Sequence, residues 1–76
     1  MILLDPLGHM VSTLSEQELH TFAQKIGLKK LLYQGNNNHP HYDLTTARMR
    51  HKALQFGAKI VIGKELVMRA WWNGKK

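Results

Sequence analysis

The sequence predicts a small α/β domain: a β-α-β-α-β-α unit in which a three-stranded, mostly parallel sheet is packed by helices. Three observations predict it. Short apolar runs recur at Ile2–Leu4, Leu31–Tyr33 and Ile60–Ile62, as expected of buried strands. Between and after them lie segments whose apolar residues follow the three-and-four spacing of a helix face. The two kinds alternate, and single helices between strands favour parallel pairing with right-handed crossovers. Seventy-six residues leave room for one domain, residues 1–76, around a thin core.

The first run stops at Asp5-Pro6, because proline has no amide to donate to a ladder. Residues 7–13 read as a loop, with Gly8 allowing a turn. Asp5 and His9 therefore fall at the C-terminal end of a strand, the edge where open α/β sheets bind ligands. Residues 14–27 are the clearest helix. Ser15 is the N-cap and Glu18 completes a capping box, with Leu14 and Leu19 spaced for a hydrophobic staple. Leu19, Phe22, Ala23 and Ile26 make the core face, and Gly27 ends the helix. His20, at the edge of that stripe, reads as structural.

Residues 29–33 form the second predicted strand, ended by the turn formers Gln34 to Asn38. Pro40 biases His39 toward extended backbone, and His39 reads as the exposed lip of a loop. Residues 45–56 read as a helix capped by Asp43 or Thr45 and closed by Gly57. Its apolar arc is Ala47, Met49, Ala53, Leu54 and Phe56; Arg48, His51, Lys52 and Gln55 oppose it. Arg50 falls inside the apolar arc, where a cation must snorkel or pair, and Asp5 and Asp43 are the available partners. Residues 58–62 are the third strand. Residues 64–72 are the last helix, with Leu66, Val67, Ala70 and Trp71 as its stripe.

Composition narrows the function. The hydrophobic fraction of 43% is that of a globular chain, not of a disordered tail. There is no cysteine, which excludes a disulfide framework and a thiolate metal cage and fits a reducing cytoplasm. No apolar run approaches the roughly 18 residues of a membrane span, and Met1–Leu4 is too short for a signal peptide. The formal charge of +6 favours polyanionic partners, nucleic acid or nucleotides, beside its plain value for solubility. The expected state is a monomer or small homo-oligomer.

The stretch that folding does not explain is residues 36–46, where two histidines, a tyrosine and an aspartate follow three asparagines. Its surroundings carry a resemblance. Asp5, Gly8-His9-Met10-Val11, Glu18-Leu19-His20, Tyr33-Gln34-Gly35, His39-Pro40-His41-Tyr42-Asp43-Leu44, Arg48 to Arg50 and Gly57-Ala58 resemble the bacterial and phage domain-of-unknown-function family four-thousand-and-thirty-one over nearly the whole chain. The His-Pro-His-Tyr-Asp stretch is the most specific part. The resemblance implies a small stand-alone protein, often phage- or prophage-borne, in the bacterial cytoplasm, and brings no established activity. The first loop is shorter here than is usual in that family, and Thr-Thr-Ala-Arg-Met-Arg stands where a Ser-Lys-Arg-like segment is usual.

Four chemistries fit the residues. Anion recognition leads: a helix N-terminus near Thr45 presents amides and hydroxyls, Arg48, Arg50 and Lys52 add cations, and Tyr42 is available to stack on a base. The expected protein is thus a binding protein for a phosphate-bearing ligand at His41-Tyr42-Asp43, with Asp5, His9, Thr45, Arg48, Arg50 and Lys52 around it. The second is a divalent metal held by His9, His41 and Asp43, serving a hydrolase or nuclease. His41 and Asp43, two apart in an extended segment, face the same way. The third is acid–base catalysis with His41 as base, Asp43 a further candidate and Tyr42 or His9 as acid. The fourth is a partner surface, with Trp72 beside Lys64, Arg69 and Lys75 as an interface anchor or as a stacking platform for single-stranded nucleic acid; that the partner is a host protein is what the resemblance implies. No nucleophile elbow, Walker loop or dinucleotide fingerprint is present, so binding is favoured over catalysis.

Overall fold

A computed structural model of the chain describes residues 1–35 and 40–74, with side chains up to residue 70. It is an α/β fold, but its sheet has five strands in the order β3-β4-β2-β1-β5. The strands are β1 (Ile2–Leu4), β2 (His9–Ser12), β3 (Tyr33–Gln34), β4 (His41–Asp43) and β5 (Lys59–Ile60); the helices are α1 (Glu16–Lys25), α2 (Ala47–Gln55) and α3 (Gly63–Gly74). Among the described residues only β1 and β5 pair in parallel; β1–β2, β2–β4 and β3–β4 are antiparallel. This corrects the expected three-stranded, mostly parallel sheet. The predicted first loop contains β2, which returns beside β1. The predicted second strand is largely a 3-10 turn at Lys30–Leu32, and the histidine segment is itself strand β4.

The error has a physical source. Four residues, Asp5 to Gly8, join β1 to β2 in a tight turn held by the Asp5 side chain, so no crossover is needed. Asp5 Oδ1 accepts from the amides of Leu7 (3.0 Å) and His9 (2.9 Å). Gly8 has a φ of 101°, and a Cβ there would strike the Leu44 carbonyl. That contact, with the Leu44 amide donating to the Gly8 carbonyl at 2.8 Å, seats the turn against the end of β4.

Strand alternation sorts the core into two layers. Ile2, Leu4, Met10, Tyr42 and Leu44 face α1 and α2, meeting Leu19, Ala23, Ile26, Ala53 and Ala58. Leu3 and Val11 face the other way, under Leu66 and Ala70 of α3 with Val61 at the edge. All three residues of β1 are buried because both faces of that strand are covered, which is why it reads as a continuous apolar run.

The helices form where their spacing predicts. Ser15 Oγ accepts from the Glu18 amide at 3.1 Å, while the Glu18 carboxylate turns to the Ser12 hydroxyl and to the Met1 amino group (2.8 Å). The predicted staple is not made, since Leu14 is 75% exposed. Thr46, one residue after the expected Thr45, caps α2 by accepting from the Met49 amide. Of the apolar arc expected on α2, Ala53 is buried and Met49 half-buried, whereas Leu54 and Phe56 are exposed. The side chains of Trp71 and Trp72, and the residues Asn36 to His39, lie outside those described. Among the described residues no helix is long and apolar enough to cross a membrane.

Candidate metal centre

Register decides what converges. In the β2–β4 pair His9 stands opposite Asp43, and His41 lies two residues before Asp43 on the same face. These three side chains project on the α3 side of the sheet, beyond the part that α3 covers. Each is only partly buried. One ligand atom from each of His9, His41 and Asp43 falls within 4.8 Å of the others. Two strands thus bring two imidazoles and a carboxylate to one place.

The distances describe the group. His41 Nε2 lies 3.2 Å from Asp43 Oδ1, and His9 Nε2 lies 3.9 Å from the same oxygen. The two imidazole rings meet edge to face at 5.4 Å. Behind His9 stands Asp5, only 3% exposed, with Oδ2 at 2.8 Å from His9 Nδ1. Burial works against the Asp5 charge, but the His9 amide, the His9 ring and the Leu7 amide outweigh it. The Asp5 carboxyl is therefore held below its ordinary value and stays ionised at neutral pH. An ionised carboxylate only accepts, so Nδ1 of His9 carries the hydrogen. In the neutral ring Nε2 then directs a lone pair toward the Asp43 carboxylate, another acceptor. Two acceptors 3.9 Å apart are stabilised by a positive charge between them, a proton on His9 or a cation.

A carboxylate that orients a histidine through its far nitrogen is the usual support of a metal-bound imidazole. Around an ion with donor bonds of about 2.0–2.2 Å, neighbouring donors stand roughly 3–3.5 Å apart. The 3.2 Å pair already meets that spacing. The 3.9 Å pair needs to close by about half an ångström, and the group as a whole, whose ligand atoms spread over as much as 4.8 Å, has to draw together around an ion. Three nitrogen and oxygen ligands without sulfur suit zinc, manganese or iron and leave positions open on the solvent side.

The other predicted site residues are distributed differently. Asp5 joins the group through His9. Tyr42 lies on the opposite face, 3% exposed, its hydroxyl 2.8 Å from His20 Nδ1 and its ring against Tyr33. Burial there raises its pKa, and it is not available to stack on a ligand at this site. Arg50 extends to the Leu44 carbonyl, donating from Nη1 at 3.0 Å, so its misplaced charge clasps the β4 end instead of Asp5 or Asp43. Thr45, Arg48 and Lys52 are exposed, and α2 packs on the other side of the sheet. Two contributors escaped sequence reasoning. Gly8, read only as a turn former, packs its turn against the Leu44 carbonyl and so aims His9, and Gln34 pairs in register with His41 at the edge of the group. The signal for the first was the Asp5-to-His9 spacing with Pro6 and Gly8 between, which describes a hairpin turn as well as a loop.

A family model described as "Protein of unknown function (DUF4031)" matches residues 5–72. The chain belongs to that family. The matched span of this DUF4031 chain begins at Asp5 and includes His9, His41 and Asp43, so it contains the entire candidate centre. No curated protein and no solved structure matches the chain.

Proposed function

We propose that the protein holds a divalent cation through His9, His41 and Asp43 and uses it to hydrolyse a phosphate-bearing substrate. The reading rests on one observation: His41 and Asp43 of one strand meet His9 of another, remote in sequence, within 4.8 Å on an accessible face, with a buried carboxylate orienting His9. When bound, the ion polarises a phosphoryl oxygen and activates a coordinated water. The chain's own part is to fix the two imidazoles and Asp43 on adjacent strands, to hold His9 in one tautomer through Asp5, and to leave the solvent side open. A phosphate-bearing ligand suits both the open positions and the net charge of +6. This reading shifts the work from the arginines of α2 to the sheet face.

The competing arrangement is a metal-free clasp in which His41 donates to Asp43 across 3.2 Å and ties the group together. Thermal melting of untagged protein decides between them. A ligand held at about 100 times its Kd adds about 2.7 kcal/mol, a shift of several degrees in a chain of this size. The proposal expects that rise with zinc or manganese, its reversal by chelator, and its absence in His41→Ala. It also expects metal-dependent cleavage of a chromogenic phosphodiester. A melting temperature unmoved by either ion and by chelator leaves the clasp.

A further inference from the structure

The charge of this chain is distributed unevenly, and the surplus lies away from the metal centre. Eleven lysines and arginines face five acidic residues. Asp5 and Asp43 belong to the centre, Glu16 and Glu18 to the first turn of α1, and Glu65 to α3. No acidic residue occurs between Glu18 and Asp43, or between Asp43 and Glu65. The end of α1, the turn after it and the whole of α2 therefore carry only positive charge. Lys25, Lys29, Lys30, Arg48 and Lys52 are all exposed, and none forms an ion pair among the described residues.

Two of these cations share a helix face, and one of them reaches the end of α1. Arg48, Lys52 and Phe56 recur every fourth residue, one stripe along the outside of α2. The Lys52 ammonium reaches to 3.9 Å from where a Cβ on Gly27 would stand, just past the end of α1 and two residues along the chain from both Lys25 and Lys29. Part of that reach is explained by the negative end of the α1 dipole. Lys25, in the last turn of α1, shares that explanation; Arg48, Lys29 and Lys30 do not. On the α2 stripe Phe56 is 44% exposed, whereas Phe22, Tyr33 and Tyr42 are partly or fully buried.

We propose that this face of α1 and α2, with Arg48, Lys52 and Phe56 at its centre, docks single-stranded nucleic acid. Cations that follow the phosphate backbone supply affinity by releasing counterions, and an exposed ring supplies a platform for an unpaired base. A duplex buries its base faces and leaves Phe56 unused, and an acidic protein segment offers no base to stack. α2 packs against the sheet face opposite to His9, His41 and Asp43, so this docking surface stands apart from the proposed metal centre, and each can be removed without the other.

Fluorescence anisotropy with a labelled thymidine oligonucleotide, a duplex of equal length and an acidic peptide tests the assignment. Over roughly 50 to 200 mM salt, affinity for the single strand is expected to fall at least about tenfold. Arg48→Ala with Lys52→Ala should weaken binding at low salt and reduce the dependence of log affinity on log salt by about 1.4. Phe56→Ala should weaken binding by about 5- to 100-fold and leave the salt slope unchanged. His41→Ala should change neither, which keeps this proposal separable from the metal reading. With circular dichroism showing the variants folded, failure to bind the oligonucleotide overturns the proposal. So does binding of the duplex or acidic peptide as tightly as the single strand, or a Phe56→Ala variant that binds like the parent.

Discussion

Two stretches of one sheet face, two residues apart along the same strands, have opposite character. Leu3 and Val11 lie fully buried under Leu66 and Ala70 of α3. One alternation further along, Asp5 and His9 occupy the same face, joined by Asp43 and His41 from β4. The first stretch is accounted for by burial. The second is polar: Asp5 satisfies the amides of the turn, whereas His41 and Asp43 are partly exposed and carry little of the burial that holds the first stretch. Asp5, 3% exposed, serves both stretches: one carboxylate oxygen holds the turn amides and the other orients the half-exposed His9.

The largest expected effect tests the apolar stretch. Leu3→Ala removes a fully buried side chain between β1 and α3. It should cost about 2–5 kcal/mol, read as a lowered denaturation midpoint with an unchanged slope. If the polar stretch were equally structural, Asp43→Asn would cost a similar amount. The expectation is instead a loss under about 1 kcal/mol in chelated protein, as for a half-exposed pair, with metal affinity down at least about 100-fold by titration. A large stability loss with unchanged metal response would erase the distinction drawn here.

Asp5 sits between the two regimes, buried like Leu3 but committed to His9. Asp5→Asn should cost about 1–3 kcal/mol, because it replaces a charged acceptor, and should weaken metal binding about 10- to 100-fold. Its pH signature is specific. The folded-state pKa lies below the ordinary 3.8, so the stabilisation by ionised Asp5 is complete above that value and is lost as pH falls through the lowered one. In chelated protein, acid unfolding below about pH 4 should therefore be less steep in Asp5→Asn than in the parent.

The smallest effect checks the far side of β4. Tyr42→Phe removes the 2.8 Å bond to His20 and leaves the ring packed. A loss of about 0.5–1.5 kcal/mol with unchanged metal titration is expected. A changed metal response would mean that the two faces of β4 are coupled.

Much of the centre was legible before folding was considered. His9, His41 and Asp43 stood out as the metal alternative from residue type and the same-face spacing of an extended segment. The helices were legible too, because caps and apolar spacing are local. Arg50 was recognised as misplaced, but its partner is a backbone carbonyl, which leaves no trace in side-chain chemistry. Phe56 was read as core from its spacing, and only the packing of α2 leaves it outside.

By itself, then, the sequence determined the α/β character, the three helices, the buried first strand and the unusual histidine–aspartate stretch. These depend on periodicity and composition within a few residues. Only the tertiary structure decided that the strand after Gly8 turns back antiparallel, that β4 enters the sheet beside it, and that His9 therefore faces Asp43. Pairing of short strands is fixed by a turn, a glycine contact and the burial of alternate residues acting together. Shifting that register by one residue would send His9 to the opposite face and dissolve the centre.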